Sequence, residues 1–213
     1  MLNILIQALG ETLLMVFVSA IVASCFGLLL GIGLEVTKPH QILPHPQLHH
    51  VLEMIINIGR SIPFIILLVA IIPLTRLIVG TSIGTVAAIV PLALGAIPLM
   101  ARLIESALME LPKGLLDAAN AMGLSSIQMI THILIPEALP GIINSVTMTL
   151  VTLVNYSAMA GTIGGGGLGD VAIRYGYQRF DIKMMLATVC ILVILVQFIQ
   201  YTGNFFVKKY NHR

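Results

Sequence analysis

The sequence has no tryptophan, only two cysteines and little charge: 11 Lys or Arg and 9 Asp or Glu among 213 residues, 9% in all, where soluble domains carry about 25%. An ordinary soluble domain is excluded. A net charge of +2 provides no basic surface of the kind nucleic acid needs. Cys25 and Cys190 stand far apart in apolar runs without CxxC or Cys/His spacing, so they read as buried apolar thiols rather than redox or zinc ligands. No Asp, Glu or His lies inside a long apolar run, which argues against proton or ion coupling, because a coupling ion needs a site within the membrane. There is no G-x-x-x-x-G-K-[ST] and no Ser/His/Asp or paired-carboxylate constellation, so the chain reads as having no catalytic site. Residues 164–169, GGGGLG, satisfy GxGxxG formally but lack the strand and helix of a dinucleotide site. They read as a flexible external turn.

Apolar residues dominate instead, at 58% with a mean hydropathy of +1.02. Since about 20 apolar residues span a bilayer, the pattern predicts five crossings, at residues 12–35, 61–79, 83–100, 142–163 and 184–207. The expected class is an all-α polytopic membrane protein forming a single domain over 1–213. Pro63 and Pro73 in the second crossing, and Pro91 and Pro98 in the third, predict kinked, packed helices. The first eleven residues hold no Lys or Arg, unlike a signal peptide, so the first crossing is expected to stay. Placing the N-terminus outside puts Lys38, Arg60, Arg102, Lys113, Lys208, Lys209 and Arg213 in the cytoplasm, against Arg76, Arg174, Arg179 and Lys183 outside. The positive-inside rule favours that orientation in a plasma membrane, with the C-terminus cytoplasmic.

Small residues at Ser19, Ala23, Gly27 and Gly31 share one helical face suited to close packing. His45, His49 and His50 have near-ligand spacing, but nothing beside them completes a metal shell. The Pro-rich stretch 38–50 therefore reads as a polar connector and no metal site is expected. In the fourth crossing Ser145, Thr149, Thr152 and Tyr156 follow i, i+4, i+7, i+11, with Asn155 and Ser157 beside them. That polar face must turn inward, either as hydrogen-bonding glue or as the lining of a pathway, with Met159 as a soft plug or a packed core residue.

Residues 105–140 are too polar to span and too patterned for a loop. An apolar stripe at Leu108, Leu111, Leu115, Ala118 and Met122 predicts one short helix, with Gly123 at its left-handed stop. Ser125 and Gln128 form an S-x-x-Q box that opens a second helix running to Pro136.

This segment resembles the "EAA" loop of permease subunits of ATP-driven importers, with pattern E-A-A, three residues, Gly, nine residues, Ile-x-Leu-Pro. Here it reads Asp117-Ala118-Ala119, Gly123, then Ile133-Leu134-Ile135-Pro136. Asp117 replaces Glu and Ile135 replaces Leu, and the spacing is kept. The resemblance implies a cytoplasmic coupling loop in which 124–131, beginning Leu124-Ser125, docks into a groove of an ATPase subunit. The stretches NIGRSIPFIILLVAIIPLTRLIVGTSIG, PEALPGI and NYSAMAGTIGGGGLGD are similar to methionine importer permeases in particular. What that implies is a type I ABC importer permease fold and a homodimer with two ATPase subunits that hold the ATP and Mg. An extracytoplasmic binding protein would deliver methionine, L- and D- alike, and this chain would bind no cofactor itself. One loop per chain and two grooves per ATPase dimer agree with symmetric pairing. An importer for another amino acid, an ATP-independent channel or carrier, and a scaffold without a pathway are the competing readings.

Overall fold

The computed structural model describes residues 1–211; His212 and Arg213, the latter counted above as cytoplasmic, lie outside the described residues, as does the side chain of Lys113. The described elements are all helical: α1 Leu2–Val36, α2 Pro46–Ser61, α3 Phe64–Ala70, α4 Ile72–Val79, α5 Thr85–Met109, α6 Lys113–Ala121, α7 Ser126–Gln128, α8 Ile135–Glu137, α9 Leu139–Gly161, α10 Gly167–Val171 and α11 Ile182–Tyr210. Wide π-helical turns occupy Met129–Leu134 and Ala172–Tyr177. Among these residues four helices, α1, α5, α9 and α11, are long and apolar enough to cross a membrane, and the bent pair α2 and α3 passes the same test when taken together, which makes five if the pair is one broken span.

α1 and α5 form the central pair. Ser19, Ala23, Gly27 and Gly31 are all buried, and the glycines are required by proximity. A Cβ on Gly31 would stand 2.6 Å from Ala101 O and from Ile104 Cβ, and one on Gly27 2.5 Å from Met100 Cγ. Ser19 Oγ donates to Ile89 O at 3.3 Å, so the small-residue face supplies a polar tie as well as space. Around the pair, Met15, Val16, Leu92, Ala96, Leu153 and Val154 form the main core. The α9 helix packs on α5, and α11 on α9, where Thr147 lies against Gly203.

The segment expected at 61–79, with kinks at Pro63 and Pro73, begins earlier, at Pro46, and is broken sharply at Pro63. Pro63 has no N–H and drives Ile62 out of helical geometry; Ile62 is extended at φ −82°, ψ 120°, and Pro63 follows at φ −56°, ψ 132°. The α2 and α3 axes meet at 99°. The stretch 38–50 is not wholly irregular either, because Pro46 opens α2 at a position where a missing N–H costs nothing, and His45 Nδ1 accepts from Leu48 N–H at 3.2 Å. Gly59 abuts Pro98, whose Cγ would lie 2.6 Å from an added Cβ. Arg60 beside it is therefore not at the end of the bundle, where the basic-residue count placed it, but level with the middle of α5.

Two further expectations are corrected. Cys25 and Cys190 are exposed on the protomer, because the outer surface of this bundle is itself apolar, with Phe17, Phe26, Val193 and Ile194 likewise exposed. The glycine run is no flexible turn. Gly165, Gly167 and Gly169 are buried, Glu11 Oε2 accepts from Gly167 N–H at 2.7 Å, and Thr12 Oγ1 accepts from Leu168 N–H at 2.9 Å. Gly167 has φ +74° with Thr12 Oγ1 2.6 Å from where a Cβ would stand, so glycine serves both the angle and the approach.

At the opposite end, charges close the bundle. Glu35 and Glu105 are 5% and 2% exposed; Lys38 Nζ reaches Glu35 Oε2 at 2.6 Å and Glu105 Oε1 at 2.9 Å. Arg102 donates to Glu105 Oε2 and to Asn57 Oδ1, both at 2.6 Å, and Gln41 donates to Glu35 Oε1 at 2.9 Å. Burial disfavours the Lys38 ammonium, yet the two carboxylates outweigh that and hold its pKa above the usual lysine value. A raised pKa stabilises the fold fully below the unfolded value of 10.5 and loses that contribution as pH climbs through the raised value. The Lys38 contribution is thus constant across physiological pH. Replacing Lys38 by Met leaves two buried carboxylates short of a cation, and is expected to destabilise the purified protein by about 3 kcal/mol, read as a lower Tm in detergent. A Tm within error of wild type would show that the knot does not hold the helices.

Candidate functional site

The segment between α5 and α9 is built from two caps set back to back. Gly123, at φ +72°, donates to Asn120 O at 3.0 Å, and Leu124 N–H reaches Ala119 O at 3.3 Å. These are the two bonds of a Schellman stop. Two residues later Ser125 N–H donates to Gln128 Oε1 at 2.9 Å and Ser125 Oγ accepts from Gln128 N–H at 3.4 Å, a complete capping box. The S-x-x-Q spacing foretold this box.

The flanking helices depart from the sequence expectation. The stripe 108–122 is not one helix face, since α5 continues to Met109 and Pro112 separates it from α6. Ala119 is fully buried, whereas Asp117, Ala118 and Met122 are exposed. The second helix is also not uniform: α7 has three residues, then the chain widens into π winding at Met129–Leu134 before α8. Pro136 cannot donate to His132 O, and a widened turn just before it relieves the missing bond. Met129 and Leu134 point inward; Leu124 and Ile133 are half-buried, and Ser125 and Pro136 exposed. Leu134 and Ala138 join Val36, Met100, Ile104 and Leu108 in one apolar cluster, flanked by Leu116 and Ile130. Outward, Met122 is 68% and Ile127 74% exposed. The loop therefore has an anchored inner face and an apolar outer face.

The polar residues of α9 divide. Ser145, Thr149 and Ser157 are buried, and their hydroxyls donate to Gly141 O, Ser145 O and Val154 O at 2.8, 2.8 and 2.7 Å. Thr149 Oγ1 also lies 3.3 Å from Met100 Sδ. These three pack the helix rather than line an opening. Thr152 donates to Met148 O at 2.9 Å, Asn155 is exposed, and Met159 packs against the main core. Tyr156 stacks flat on Phe64, with centroids 4.1 Å apart and planes 2° from parallel. That contact joins α9 to the far side of the α2–α3 break.

Residues 23–212 match the family model of the binding-protein-dependent transport system inner membrane component. The chain belongs to that family. The probable D-methionine transport system permease protein MetI of Vibrio cholerae is 56% identical over 211 residues, covering 99% of this chain and 94% of the relative. The D-methionine transport system permease protein MetI of Escherichia coli K12 is 53% identical over 161 residues, 76% of this chain and 74% of its own length. A solved structure of the MetNI methionine ABC transporter in an inward-facing conformation superposes with a TM-score of 0.98 at 48% identity, over 100% of this chain and 98% of that one. An amino acid ABC transporter solved with histidines gives a TM-score of 0.80 at 17% identity, over 97% of this chain and 94% of that one, and shows the shared fold alone.

In this inner-membrane permease, sequence reasoning overlooked the charged knot and the glycine–Glu11 tie. The i, i+3 spacing of Arg102 and Glu105 at the end of an apolar run was a usable signal, because such charges persist beside a membrane span only when paired. Nothing local marked Glu11 as a partner of residue 167. For the loop itself, Gly123→Ala meets no neighbour within 4 Å, so its cost is backbone strain alone, about 1 kcal/mol; Ser125→Ala loses a cap of similar worth. Each is expected to speed amide exchange across 119–128 about fivefold. Unchanged exchange in both would show that the caps do not set the turn.

Proposed function

We propose that this chain is the membrane-spanning subunit of an ATP-driven methionine importer, working as a homodimer with two ATPase subunits and an extracytoplasmic binding protein. The observation that carries it is the outer face of the loop: Met122 and Ile127 are more exposed than almost any other large apolar side chain outside the spans, on a turn held by a full set of caps. An apolar face so rigidly presented has a partner. Asp117, Ala118, Ala119, Gly123, Leu124, Ser125, Ile133 and Pro136 form the coupling element, and the N-terminus lies outside with the C-terminus and loop in the cytoplasm. ATP and Mg sit on the partner, and this chain contributes no catalytic group. Closure of the ATPase dimer moves the loop, and the permease follows because its two states bind the closed partner unequally. Thr152, Asn155, Tyr156 and Met159 belong to the pathway and its gate, with Ser145, Thr149 and Ser157 holding their helix in place.

The test is uptake of labelled L- and D-methionine into proteoliposomes holding this chain, its ATPase and its binding protein, with and without ATP. ATP-dependent uptake competed only by methionine-like solutes is expected. ATP hydrolysis without methionine movement would assign another solute to the same machine, and flux indifferent to ATP would end the importer reading. Ile127→Asp places a charge where an apolar side chain is buried on docking, worth about 2 kcal/mol, and is expected to weaken ATPase association at least about tenfold in a pull-down from detergent.

A further inference from the structure

The α2–α3 break sits at the middle of the bundle. From Thr85 to Glu105 along α5 is about 30 Å at helical rise, the thickness of the hydrocarbon core, and Gly95 falls half-way between them. At that level Arg60, Phe64, Leu67, Gly95, Leu99 and Tyr156 line a cleft of about 180 Å³, the share of about six water molecules. Arg60 makes no hydrogen bond or ion pair with any described residue, whereas Arg102 is bound to Glu105 and Asn57, Arg174 to Asp170 and Arg76 to Ser82. A cation at mid-depth without a counter-ion marks a place where a solute supplies one. The same break frees acceptors: with Pro63 lacking an N–H and α3 turned through 99°, the carbonyls of Gly59, Arg60 and Ser61 have no donor further along their helix. Opposite these groups stands the flat Phe64–Tyr156 pair, and Gly95 keeps the floor open, since a Cβ there would come within 3.2 Å of Phe64 and 3.3 Å of Leu67.

We propose that this chain has its own site for an amino-acid zwitterion with an apolar side chain, in the cleft at the α2–α3 break, which rests on the importer reading above. The Arg60 guanidinium receives the carboxylate, the ends of the α2 carbonyls receive the ammonium, and the aromatic pair with Leu67 and Leu99 receives the side chain. A thioether suits that wall, because sulfur packs well against aromatic rings. A cationic donor, a set of carbonyl acceptors and an apolar wall together disfavour sugars and inorganic ions. The site is small enough to hold one substrate per chain.

The experiment uses the complete complex and a diazirine analogue of methionine. Wild-type complex is first shown to take up L-methionine with ATP, then irradiated with the analogue, digested and mapped by mass spectrometry. Label is expected in peptides containing 59–67, 95–99 and 156, displaced by excess L-methionine and not by excess lysine. Arg60→Met is expected to lose labelling and uptake at least about tenfold, the worth of a charge-assisted hydrogen bond, with Arg60→Lys restoring part of both. Gly95→Val closes the cleft without touching Arg60 and is expected to lose labelling to the same degree, so the outcome does not hang on one variant assembling with the ATPase. If wild type transports methionine while label falls elsewhere, or both variants assemble and keep labelling within about twofold, the site is overturned and the importer reading stands. If wild type hydrolyses ATP but moves no methionine, the methionine assignment and this site fall together while the ATP-driven machine stands.

Discussion

Two buried carboxylates at one end of the bundle make the rest of the arrangement possible. Glu35 lies at the end of α1 and Glu105 near the end of α5, and each is paired there with a cation, both with Lys38 and Glu105 also with Arg102, since burying a carboxylate without such a partner is costly. Lys38 ties α1 to α5 and sets the chain's exit from the first helix. Arg102 then reaches Asn57, and with the Leu52–Leu34 and Gly59–Pro98 contacts it is what holds α2, whose single buried residue is Ile56. A helix with so little apolar anchorage would otherwise be free to leave the bundle. The bend at Pro63 and the cleft beside it have their position because of that polar attachment.

Glycine plays two separate parts at the two ends. In α1 it shortens the distance between helices, so that Gly27 and Gly31 let the α5 backbone approach until side chains at those positions would collide. Near the Glu11 end it permits a backbone path closed to other residues, at Gly166 and Gly167, where the chain turns back and packs α10 against α9 and α1. Glu11 and Thr12 accept from that loop. The first helix is consequently gripped along its full length: by amide groups at one end, by close packing in the middle, by charge at the other.

Much of this was legible in the residues. Long apolar runs, the small-residue face and the S-x-x-Q box are local patterns, and local patterns survive translation into structure because each depends on neighbours within one or two turns. The rest has a common cause. Ser145 and Thr149 stayed open between glue and pathway, because whether a hydroxyl lines water or bonds back to its own helix depends on which helix lies against it, and here α5 does. Leu108 and Met122 fit one stripe only if Pro112 between them is ignored. The Glu35–Lys38–Glu105–Arg102 knot joins segments some seventy residues apart, and no periodicity reports that. Cys25 and Cys190 were misplaced because apolar surroundings signify burial in water and exposure in lipid.

The connectivity then bears on how a solute could be passed. α5 leads directly into the loop and α9 leads directly out of it, and both contribute to the cleft at the α2–α3 break, through Gly95 and Leu99 on one side and Tyr156 on the other. The loop's inner face is fused to both helices by the cluster of Ile104, Leu108, Leu134 and Ala138. A packed cluster of this kind transmits displacement instead of absorbing it, because close-packed interiors are scarcely compressible. Any shift of the loop is therefore applied to two walls of the cleft at once, while the third wall, α2 and α3, is attached elsewhere through Arg102 and bends at Ile62–Pro63. Relative motion between a driven pair of walls and a jointed third is the simplest way for a partner bound outside the membrane to open and close a site at its centre. It needs only that the solute and the closed ATPase favour different positions of the same joint.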